Sequence, residues 1–458
     1  MKKFAVVLLL IVSMLTLSLS ACARGGDDVN DGNDYDDKVV TIVVGIKADS
    51  TEKAYLSAFS KAFNRVDKSI KISVQTFADY QQAMNNYIAT DSMPDIVWCT
   101  GDYHAPYSST GHYEDLTPYF ERDGIDLSKY YKTSIDSARL TIDPKAENYN
   151  SVWFMPRDYN RLTIMYNKDI FDKAKMEYPT NDWTWEDFLA TCRTLREKMN
   201  NNENGLSKFM YPADLLLSDN VGMFTALTTE GGSIVDEKGD SNINATETQL
   251  AYEALRGYVS EGLFLNPTTS ASVSFARNTI AMNACVRPVI PGYINDVNLD
   301  FVSYPLSDTT MVGAGCSGYA IASTSKHKEE AWKFIKFIGS EEGQRAFATT
   351  AGCVPVLKSV AEDENSAWRG FTGIKGDKLN HGAFIADSDR DLYLNVFDRK
   401  DPRLSSTLLR YMQDCSYACI KILTVVAVYR ELHPFIRKRL TMRSLSVKGG
   451  ECNASDFT

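Results

Sequence analysis

The sequence predicts an α/β protein with two lobes, in which two open α/β sheets are joined by crossing hinge segments. Three observations lead to this prediction. Residues 39–98 alternate strand and helix patterns, and residues 152–171 place a short polar run between two apolar, strand-like runs. The chain also has 458 residues, enough for two or three domains with a large core.

The alternating part of the chain begins with a β-branched run at residues 39–44, which is typical of a buried parallel strand. Apolar residues then recur at helical spacing over residues 52–64. A second strand is predicted at 70–77, a helix at 80–88 and a third strand at 95–98. The β-α-β-α-β order indicates an open sheet, where ligands lie outside the carboxyl ends of the strands.

The polar run inside residues 152–171 is too short for a domain linker and too charged for a buried turn. We therefore expect the chain to pass here between two lobes, with the polar side chains facing a cleft, because ligand sites favour domain interfaces. The run consists of Arg157, Asp158, Tyr159, Asn160 and Arg161, and it makes Asp158, Tyr159 and Asn160 candidate ligand-binding residues.

Further helices and strands are predicted along the rest of the chain. Thr184 followed by Asp187 is a variant capping box before an amphipathic helix at 188–199. Helices are also expected at 215–228, 247–261, 327–338 and 340–348. Residues 301–305 are predicted to be a second crossing strand, and residues 313–323 a glycine-rich strand whose small side chains permit close approach.

Composition bounds the class of partner. The formal net charge is −10, so no nucleic-acid partner is expected, because phosphate binding needs a basic face. Five histidines give a thin inventory for acid–base chemistry, and no nucleophile-elbow or HExxH motif is present. The 24 tyrosines could stack on carbohydrate, although burial in the core is the commoner fate of such side chains.

The amino-terminal residues predict export. Lys2 and Lys3 precede an apolar stretch at residues 4–17, and the small residues of the sequence LSAC lead to Cys22. This pattern resembles a bacterial lipobox and implies a signal peptide at 1–21 and lipid on Cys22. The alternatives are an ordinary signal peptide or an uncleaved anchor. Residues 22–38 are predicted to be a flexible acidic tether.

The remaining cysteines do not suggest a disulfide framework. Five stand singly in apolar contexts, as small buried hydrophobes do: Cys99, Cys192, Cys285, Cys316 and Cys353. Cys415, Cys419, Cys452 and His433 could in principle bind a metal ion, but their spacing is not that of a zinc site. We expect no metal and no cofactor.

The sequence YNKDIF at residues 166–171, followed by WTWEDF at 183–188, resembles the extracellular solute-binding proteins of ABC importers. The likeness is to the sugar-binding type that includes maltose-binding protein. Similar motifs recur in the same order as far as Pro355. The resemblance implies a periplasmic-binding-protein-like fold, a carbohydrate ligand of the oligosaccharide type, hinge closure, and delivery to the transmembrane subunits of a permease. It also implies a monomer without enzymatic activity, anchored on the outer face of the cytoplasmic membrane.

The resemblance also implies ligand-binding positions. In the family the loop after the third strand presents an acid and rings, here Asp102 and Tyr103, with Trp98 and His104 as weaker candidates. A capped turn with a core tyrosine would give the same pattern. Three further candidates follow the family's later motifs, of which Arg287 could equally be a surface residue: Asp219, Asn220 and Arg287.

The predicted domains follow from the crossings. The first lobe comprises residues 39–157 with 306–360, and the second comprises 158–305 with 361–413. Residues 414–458 are basic where the body is acidic. A reading-frame change giving a non-native end is the favoured explanation, and a divergent amphipathic surface segment is the alternative.

Two other functions are compatible with the sequence. A solute-binding protein could take a peptide, a polyamine or an iron chelate. A secreted glycoside hydrolase would need two carboxylates across a cleft, for which Asp102 and Asp158 are the candidates.

Overall fold

The structure is a computed structural model that describes residues 39–140, 148–233, 242, 244–266 and 272–393. The side chains of Asp102, Tyr103 and Tyr393 are outside this description. The predicted signal peptide, Cys22, the acidic tether and the basic tail also lie outside the described residues.

Strands and helices alternate along most of the described chain. The strands are β1 Val40–Lys47, β2 Ile70–Phe77, β3 Ile96–Thr100, β4 Met155–Pro156, β5 Asp158–Arg161, β6 Thr163–Asn167, β7 Tyr211–Asp214, β8 Ile280–Cys285, β9 Leu299–Ser303, β10 Val312–Gly315, β11 Ser317–Ile321, β12 Val354–Pro355 and β13 Asp391–Tyr393.

The helices are α1 Ser50–Val66, α2 Tyr80–Ala89, α3 Gly101–Ser108, α4 Thr117–Arg122, α5 Lys132–Ser137, α6 Lys168–Ala174, α7 Trp185–Asn200, α8 Asn220–Thr229, α9 Thr246–Ser260, α10 Lys328–Gly339, α11 Glu341–Ala348 and α12 Lys358–Ala361. Short 3-10 helices lie at Leu127–Lys129, Glu203–Gly205, Phe275–Arg277, Arg287–Gly292, Ala367–Arg369, His381–Phe384 and Ser388–Arg390.

The first sheet, which we call the first-lobe sheet, has the order β2-β1-β3-β11-β4. β1 runs parallel to β2 and β3, and β11 is antiparallel to β3. The predicted β-α-β-α-β order is confirmed. On β1 the alternate side chains Ile42, Val44 and Ile46 are buried, whereas Val43 is half-buried and Thr41 is exposed, so the expected burial of this strand holds for one face only.

The second-lobe sheet has the order β7-β8-β6-β9. Helix α7 packs on it, and the predicted capping box is present: the Thr184 side chain accepts a hydrogen bond from the Asp187 amide, and the Asp187 carboxylate accepts one from the Thr184 amide. The predicted helix at 215–228 was wrong in its start. β7 ends at Asp214, Leu216 adopts a φ of 55°, and α8 begins only at Asn220.

A third sheet, the linking sheet, has the order β12-β5-β10-β13. Along the chain, its strands β5 and β10 each come between a strand of the first-lobe sheet and a strand of the second-lobe sheet. Successive strands β4, β5 and β6 belong to the first-lobe, linking and second-lobe sheets in turn. The crossing predicted within residues 152–171 is therefore confirmed. Since each lobe has its own open sheet, the two-lobed α/β prediction is confirmed as well.

The second crossing lies at a different place from the one predicted. Residues 299–303 form β9, which pairs with β6 inside the second-lobe sheet. The chain returns instead through the glycine-rich segment, where β10 belongs to the linking sheet and β11 to the first-lobe sheet. Gly318 is needed there, because a Cβ at this position would lie 2.1 Å from the Met155 carbonyl oxygen of β4.

Aromatic side chains fill much of the core. Phe59 of α1 stacks on Phe347 of α11 with ring centroids 5.3 Å apart. The five cysteines expected in the core are buried and free. Within the described ranges, no helix has the length and apolarity needed to span a membrane.

Candidate functional site

The two crossings lie side by side. β5 pairs antiparallel with β10, so Asn160 is opposite Gly315, and β4 pairs antiparallel with β11. At the same place β3 ends, with Thr100 opposite Ser317. The carboxyl end of the first-lobe sheet thus meets both crossings, which is where open α/β sheets bind ligands.

Arg157 lies at the centre of the first crossing and is 1% exposed. Its Nη2 donates to Glu52 Oε1 at 3.1 Å, and its Nε donates to Asp158 Oδ2 at 3.0 Å. The guanidinium also lies 4.7 Å from the centroid of the Tyr55 ring. Burial by itself would lower the pKa of Arg157, but the carboxylates of Glu52 and Asp158 outweigh it and raise that pKa well above its ordinary value.

Asp158 ties the first crossing to the second. Its Oδ1 accepts hydrogen bonds from the Ser317 amide at 2.7 Å and from Asn160 Nδ2 at 2.9 Å. Its Oδ2 accepts two from Arg157. Burial raises the pKa of Asp158, and the guanidinium of Arg157 opposes that rise. With four donors in place, this carboxylate is engaged inside the protein.

The expectation that the polar run was too charged to be buried, and so faced an open cleft, was wrong for four of its five residues. Arg157, Asp158, Tyr159 and Arg161 are at most 1% exposed. The two arginines are tolerated there because each meets a carboxylate from a distant part of the chain, Arg157 meeting Glu52 and Arg161 meeting Asp391, while Asp158 pairs with the adjacent Arg157. Contact of Asp158 or Tyr159 with a ligand stays a prediction, and only Asn160 is partly exposed.

A second buried network, which the sequence did not suggest, joins Asp391 to the end of β5. Arg161 Nε donates to Asp391 Oδ1 at 2.8 Å, and the Tyr159 hydroxyl donates to Oδ2 at 2.6 Å. Thr133 adds a third hydrogen bond at 3.1 Å. Burial raises the pKa of Asp391 to about 6, against the opposing effect of Arg161. Asp391 therefore holds β13 to the linking sheet.

Several buried polar atoms at the crossings have no hydrogen-bond partner within the described part of the chain. They include Asn160 Oδ1, Thr100 Oγ1 and Arg161 Nη1. Buried polar atoms are normally paired, so the unpaired ones at the crossings mark positions where a ligand or water can complete the hydrogen bonds. Asn160 Oδ1 and Thr100 Oγ1 are neutral groups suited to hydroxyl groups, and Arg161 Nη1 adds a charged donor.

The backbone places Asp102 and Tyr103 in the first turn of α3, directly after the carboxyl end of β3. This is the edge of the sheet that the sequence predicted for them. Their side chains lie outside the described residues, so their contact with a ligand stays a prediction.

The two weaker candidates beside them are in the core of the first lobe. Trp98 is 3% exposed, packs edge-on against Tyr80, and has Lys47 Nζ 4.0 Å from its ring centroid. His104 is fully buried, with Nδ1 3.2 Å from Ser108 Oγ and its ring against Phe154. Their positions match core packing, and their ligand role stays a prediction.

The second lobe contributes two residues that the sequence did not single out. Asp214 and Asn283 are register partners on the parallel strands β7 and β8. Burial raises the pKa of Asp214, whose carboxylate accepts a hydrogen bond from the Leu216 amide at 2.9 Å. A desolvated carboxylate at the carboxyl end of a parallel pair is a candidate ligand contact.

The predicted candidates in the second lobe lie close by along the chain. Asp219 is the exposed N-cap of α8 and accepts a hydrogen bond from the Val221 amide at 3.0 Å, and Asn220 is the half-buried first residue of that helix. A capping role explains Asp219 without a ligand. Contact of either residue with a ligand stays a prediction.

One of the two interpretations of the sequence placed Arg287 on the surface, and this interpretation was wrong. Arg287 is fully buried and donates Nη2 to the carbonyl oxygens of Trp368 at 2.6 Å and Ala351 at 3.2 Å, while Nη1 lies 2.9 Å from His381 Nδ1. Burial lowers the pKa of Arg287 to about 10. These contacts occupy both Nη atoms of Arg287, which were expected to bind ligand hydroxyls. Contact of Arg287 with a ligand stays a prediction.

No group of three or more histidine, cysteine, aspartate or glutamate side chains that could hold a metal ion is present in the described ranges. The candidate site described above is a set of hydrogen-bonding atoms at the carboxyl ends of two sheets. They are fixed by the buried ion pairs of the crossings.

Comparison with known proteins gives the same architecture. The chain is 24% identical over 374 residues to the diacetylchitobiose-binding protein DasA of Streptomyces coelicolor, covering 75% of this chain and 80% of that protein. It is 21% identical over 390 residues to the multiple sugar-binding protein of Streptococcus mutans, covering 80% and 85%.

Two solved structures share the fold. The GacH receptor of Streptomyces glaucescens, studied unliganded and with acarbose, superposes with a TM-score of 0.64 at 18% identity, covering 86% of this chain and 98% of that one. An ABC substrate-binding protein of Listeria monocytogenes in complex with cycloalternan gives a TM-score of 0.62 at 22% identity, covering 82% and 98%.

The model of one family matches residues 54–370, more than half of the chain. That range contains both crossings and every described strand except β1 of the first-lobe sheet and β13 of the linking sheet. The chain belongs to the bacterial extracellular solute-binding proteins.

Proposed function

We propose that this protein captures a carbohydrate between its lobes and is the substrate-binding component of an ABC importer. One observation carries the proposal: the polar atoms left unpaired at the crossings, Asn160 Oδ1 and Thr100 Oγ1, are neutral and lie where hydroxyl groups of a sugar would complete them. The relatives named for diacetylchitobiose and multiple sugars, and the neighbours with cycloalternan and acarbose, support an oligosaccharide.

A cationic or metal-chelate ligand is less well supported. A polyamine would need free carboxylates, but Asp158 and Asp391 are occupied by arginines. Asp214 and the exposed Asp219 are the described candidate carboxylates without a cationic partner in the observed ion pairs. The glycoside hydrolase alternative loses Asp158, because a carboxylate with four internal donors cannot serve as a general acid or nucleophile.

A thermal-shift screen tests the ligand class directly. Chitobiose-type, maltose-type and mixed oligosaccharides should raise the Tm, because a ligand that binds the native state stabilises it by mass action. Peptides, spermidine and ferric chelates should leave the Tm unchanged. A Tm shift with one of those compounds and none with any sugar would overturn the proposal.

Delivery requires the protein to stay near its permease. We propose that Cys22 carries lipid and that residues 22–38 tether the lobes to the outer face of the cytoplasmic membrane. Cys22→Ser should move the protein from the membrane fraction to the soluble fraction. Unchanged fractionation would contradict the anchor without affecting the proposed ligand.

Hinge closure is the remaining part of the mechanism. We propose that lobe 1, residues 39–157 with 306–360, and lobe 2, residues 158–305 with 361–413, close on the sugar, and that the closed monomer docks on the transmembrane subunits. Small-angle scattering with and without the sugar found in the screen should show a smaller radius of gyration in the complex.

A further inference from the structure

A cavity of about 360 Å³ lies on the segment between the linking-sheet strands β12 and β13, next to β9. It is lined on one side by Asp300 of the second-lobe sheet and on the other by Glu364, Arg369, Lys378 and His381. Neither the family nor the proposed sugar site accounts for this combination of charges.

Arg369 is built into the wall of the cavity. Its side chain is 10% exposed, and its guanidinium lies 4.8 Å from the centroid of the Trp368 ring. Nη2 donates to the Ala361 carbonyl oxygen at 3.2 Å. The Nε atom is buried and has no hydrogen-bond partner among the described residues. A buried guanidinium donor without an acceptor indicates a position where an acceptor is missing.

Positive charge accumulates around this wall. His381 is held neutral, because Arg287 can only donate to its Nδ1, which leaves Nε2 to donate to the Phe371 carbonyl oxygen at 2.8 Å. The ion pairs of the described residues include no carboxylate for Arg287. Burial lowers the pKa of His381, and the charges of Arg287, Arg369 and Lys378 lower it further.

The acids that line the cavity do not neutralise these cations. Asp300 Oδ1 accepts hydrogen bonds from the amides of Asn380 at 2.7 Å and Phe301 at 2.8 Å, and its Oδ2 lies 3.7 Å from Lys168. Glu364 reaches Arg369 only at 3.6 Å and is 71% exposed. Glu364 is therefore a loosely held counter-ion that a stronger anion could displace.

We propose that this cavity is a second binding site, which takes a small oxyanion through Arg369 and Lys378. A guanidinium presents paired donors that match a phosphate or carboxylate group, and Lys378 adds a point charge at the open rim. Gly382 borders the guanidinium, since a Cβ at that position would lie 3.9 Å from Arg369 Nη1. The anion could be free phosphate or the phosphate of a sugar phosphate, which share this chemistry.

Isothermal titration of the lipid-free mature protein with inorganic phosphate, at constant ionic strength in chloride, tests the site. Glucose 6-phosphate in a parallel titration distinguishes the two sources. We expect saturable binding of at least one of them. Lys378→Gln, an exposed change that should not affect folding, should weaken it by about three- to tenfold.

Glu364→Gln provides the opposite test, because removing the competing carboxylate should tighten binding. Arg369→Lys keeps the charge but loses the fork, and should weaken binding by about tenfold or more. The matched control is Arg345→Lys, at an exposed arginine that pairs with Glu341 and Asp363. No saturable binding, or equal affinity in wild type, K378Q and E364Q, would overturn the proposal. Since the readout uses no neutral sugar, its failure would leave the proposed sugar function intact.

Discussion

Two arginines, Arg157 and Arg287, are buried to the same extent and are stabilised in opposite ways. Arg157 has two carboxylates, Glu52 and Asp158, within hydrogen-bond distance. Arg287 has two carbonyl oxygens, a neutral histidine and the faces of three aromatic rings. The pKa of the first is raised by its carboxylates, whereas burial lowers that of the second to about 10.

The difference shows what each position requires. At the crossing, carboxylates from α1 and β5 fix the course of the chain, so the charge of Arg157 is itself structural. Arg287 joins the segment after β8 to Ala351 and Trp368, and the dipoles of their carbonyl groups are enough to stabilise its charge. Carbonyl dipoles carry no net charge, so they do not cancel the positive charge of Arg287. Its electrostatic field therefore extends to neighbouring groups.

The largest effect should come from breaking the carboxylate-paired arginine. Arg157→Met should lower the free energy of unfolding by about 3–5 kcal/mol, because it leaves Glu52 and Asp158 buried without a cation. Urea unfolding followed by circular dichroism measures it. Arg345→Met, on an ion pair with the arginine side chain 48% exposed, is the control and should cost less than about 1 kcal/mol. Equal losses in the two variants would contradict this account of Arg157.

The dipole-paired arginine should make stability depend on pH through His381. Burial, with the charge of Arg287, lowers the pKa of His381 to about 4, below its unfolded value of about 6.5. The unfolded chain then binds more protons between these values, so this stability is present above pH 6.5 and lost as pH falls through 4. The loss amounts to about 3 kcal/mol, and His381→Gln should remove that slope.

Asp391 should change stability with pH in the opposite direction to His381, over nearly the same pH range. Its folded pKa of about 6 lies above the unfolded value of about 3.9, so its stabilising contribution is present at low pH and is lost as pH rises through 6. Unfolding curves of wild type, H381Q and D391N at pH 4 to 7 separate the two. If H381Q keeps the wild-type pH profile, the titration of His381 is not the source of the pH dependence of stability.

Removing the charge of Arg287 should cost less than removing that of Arg157. Arg287→Met leaves two carbonyl oxygens without a donor, for a loss of about 1–3 kcal/mol in the free energy of unfolding. The same urea titration measures it beside Arg157→Met. A loss as large as that of Arg157→Met would show that the carbonyls and rings were not an adequate substitute for carboxylates.

The smallest effect should be on ligand affinity at the edge of the Arg157 network. Asn160→Ala removes one hydrogen-bonding group from the crossing and should weaken binding of the sugar found in the screen by about two- to tenfold. Calorimetric titration measures it, with Asn365→Ala at an exposed position as the control. Unchanged affinity in both variants would place the sugar away from Asn160.

The sequence predicted those parts of the fold that depend on neighbouring residues. The alternation of β1, α1, β2, α2 and β3 and the capping box at Thr184 follow from local patterns, and the structure has them where expected. The first crossing was predictable for the same reason, since its polar run interrupts two apolar strands.

What the sequence could not give depends on residues far apart in the chain. The sequence near Arg157 does not predict its pairing with Glu52, which is 105 residues away, so the run appeared too charged for burial. The glycines at 313–318 showed a need for close approach but not that the partner was the backbone of β4. Asp214 became a candidate only when β7 was seen beside β8.

The last strand that the structure describes also sets an order for folding. Asp391 of β13 pairs with Arg161 across 230 residues of chain. At a synthesis rate of about 5–20 residues per second, Arg161 would wait roughly 10 to 50 seconds before its carboxylate partner exists. Either lobe can begin to form in that interval, but the sheet between them cannot be completed. A chain cut short before residue 391 would therefore carry two lobes without the final strand of their connection.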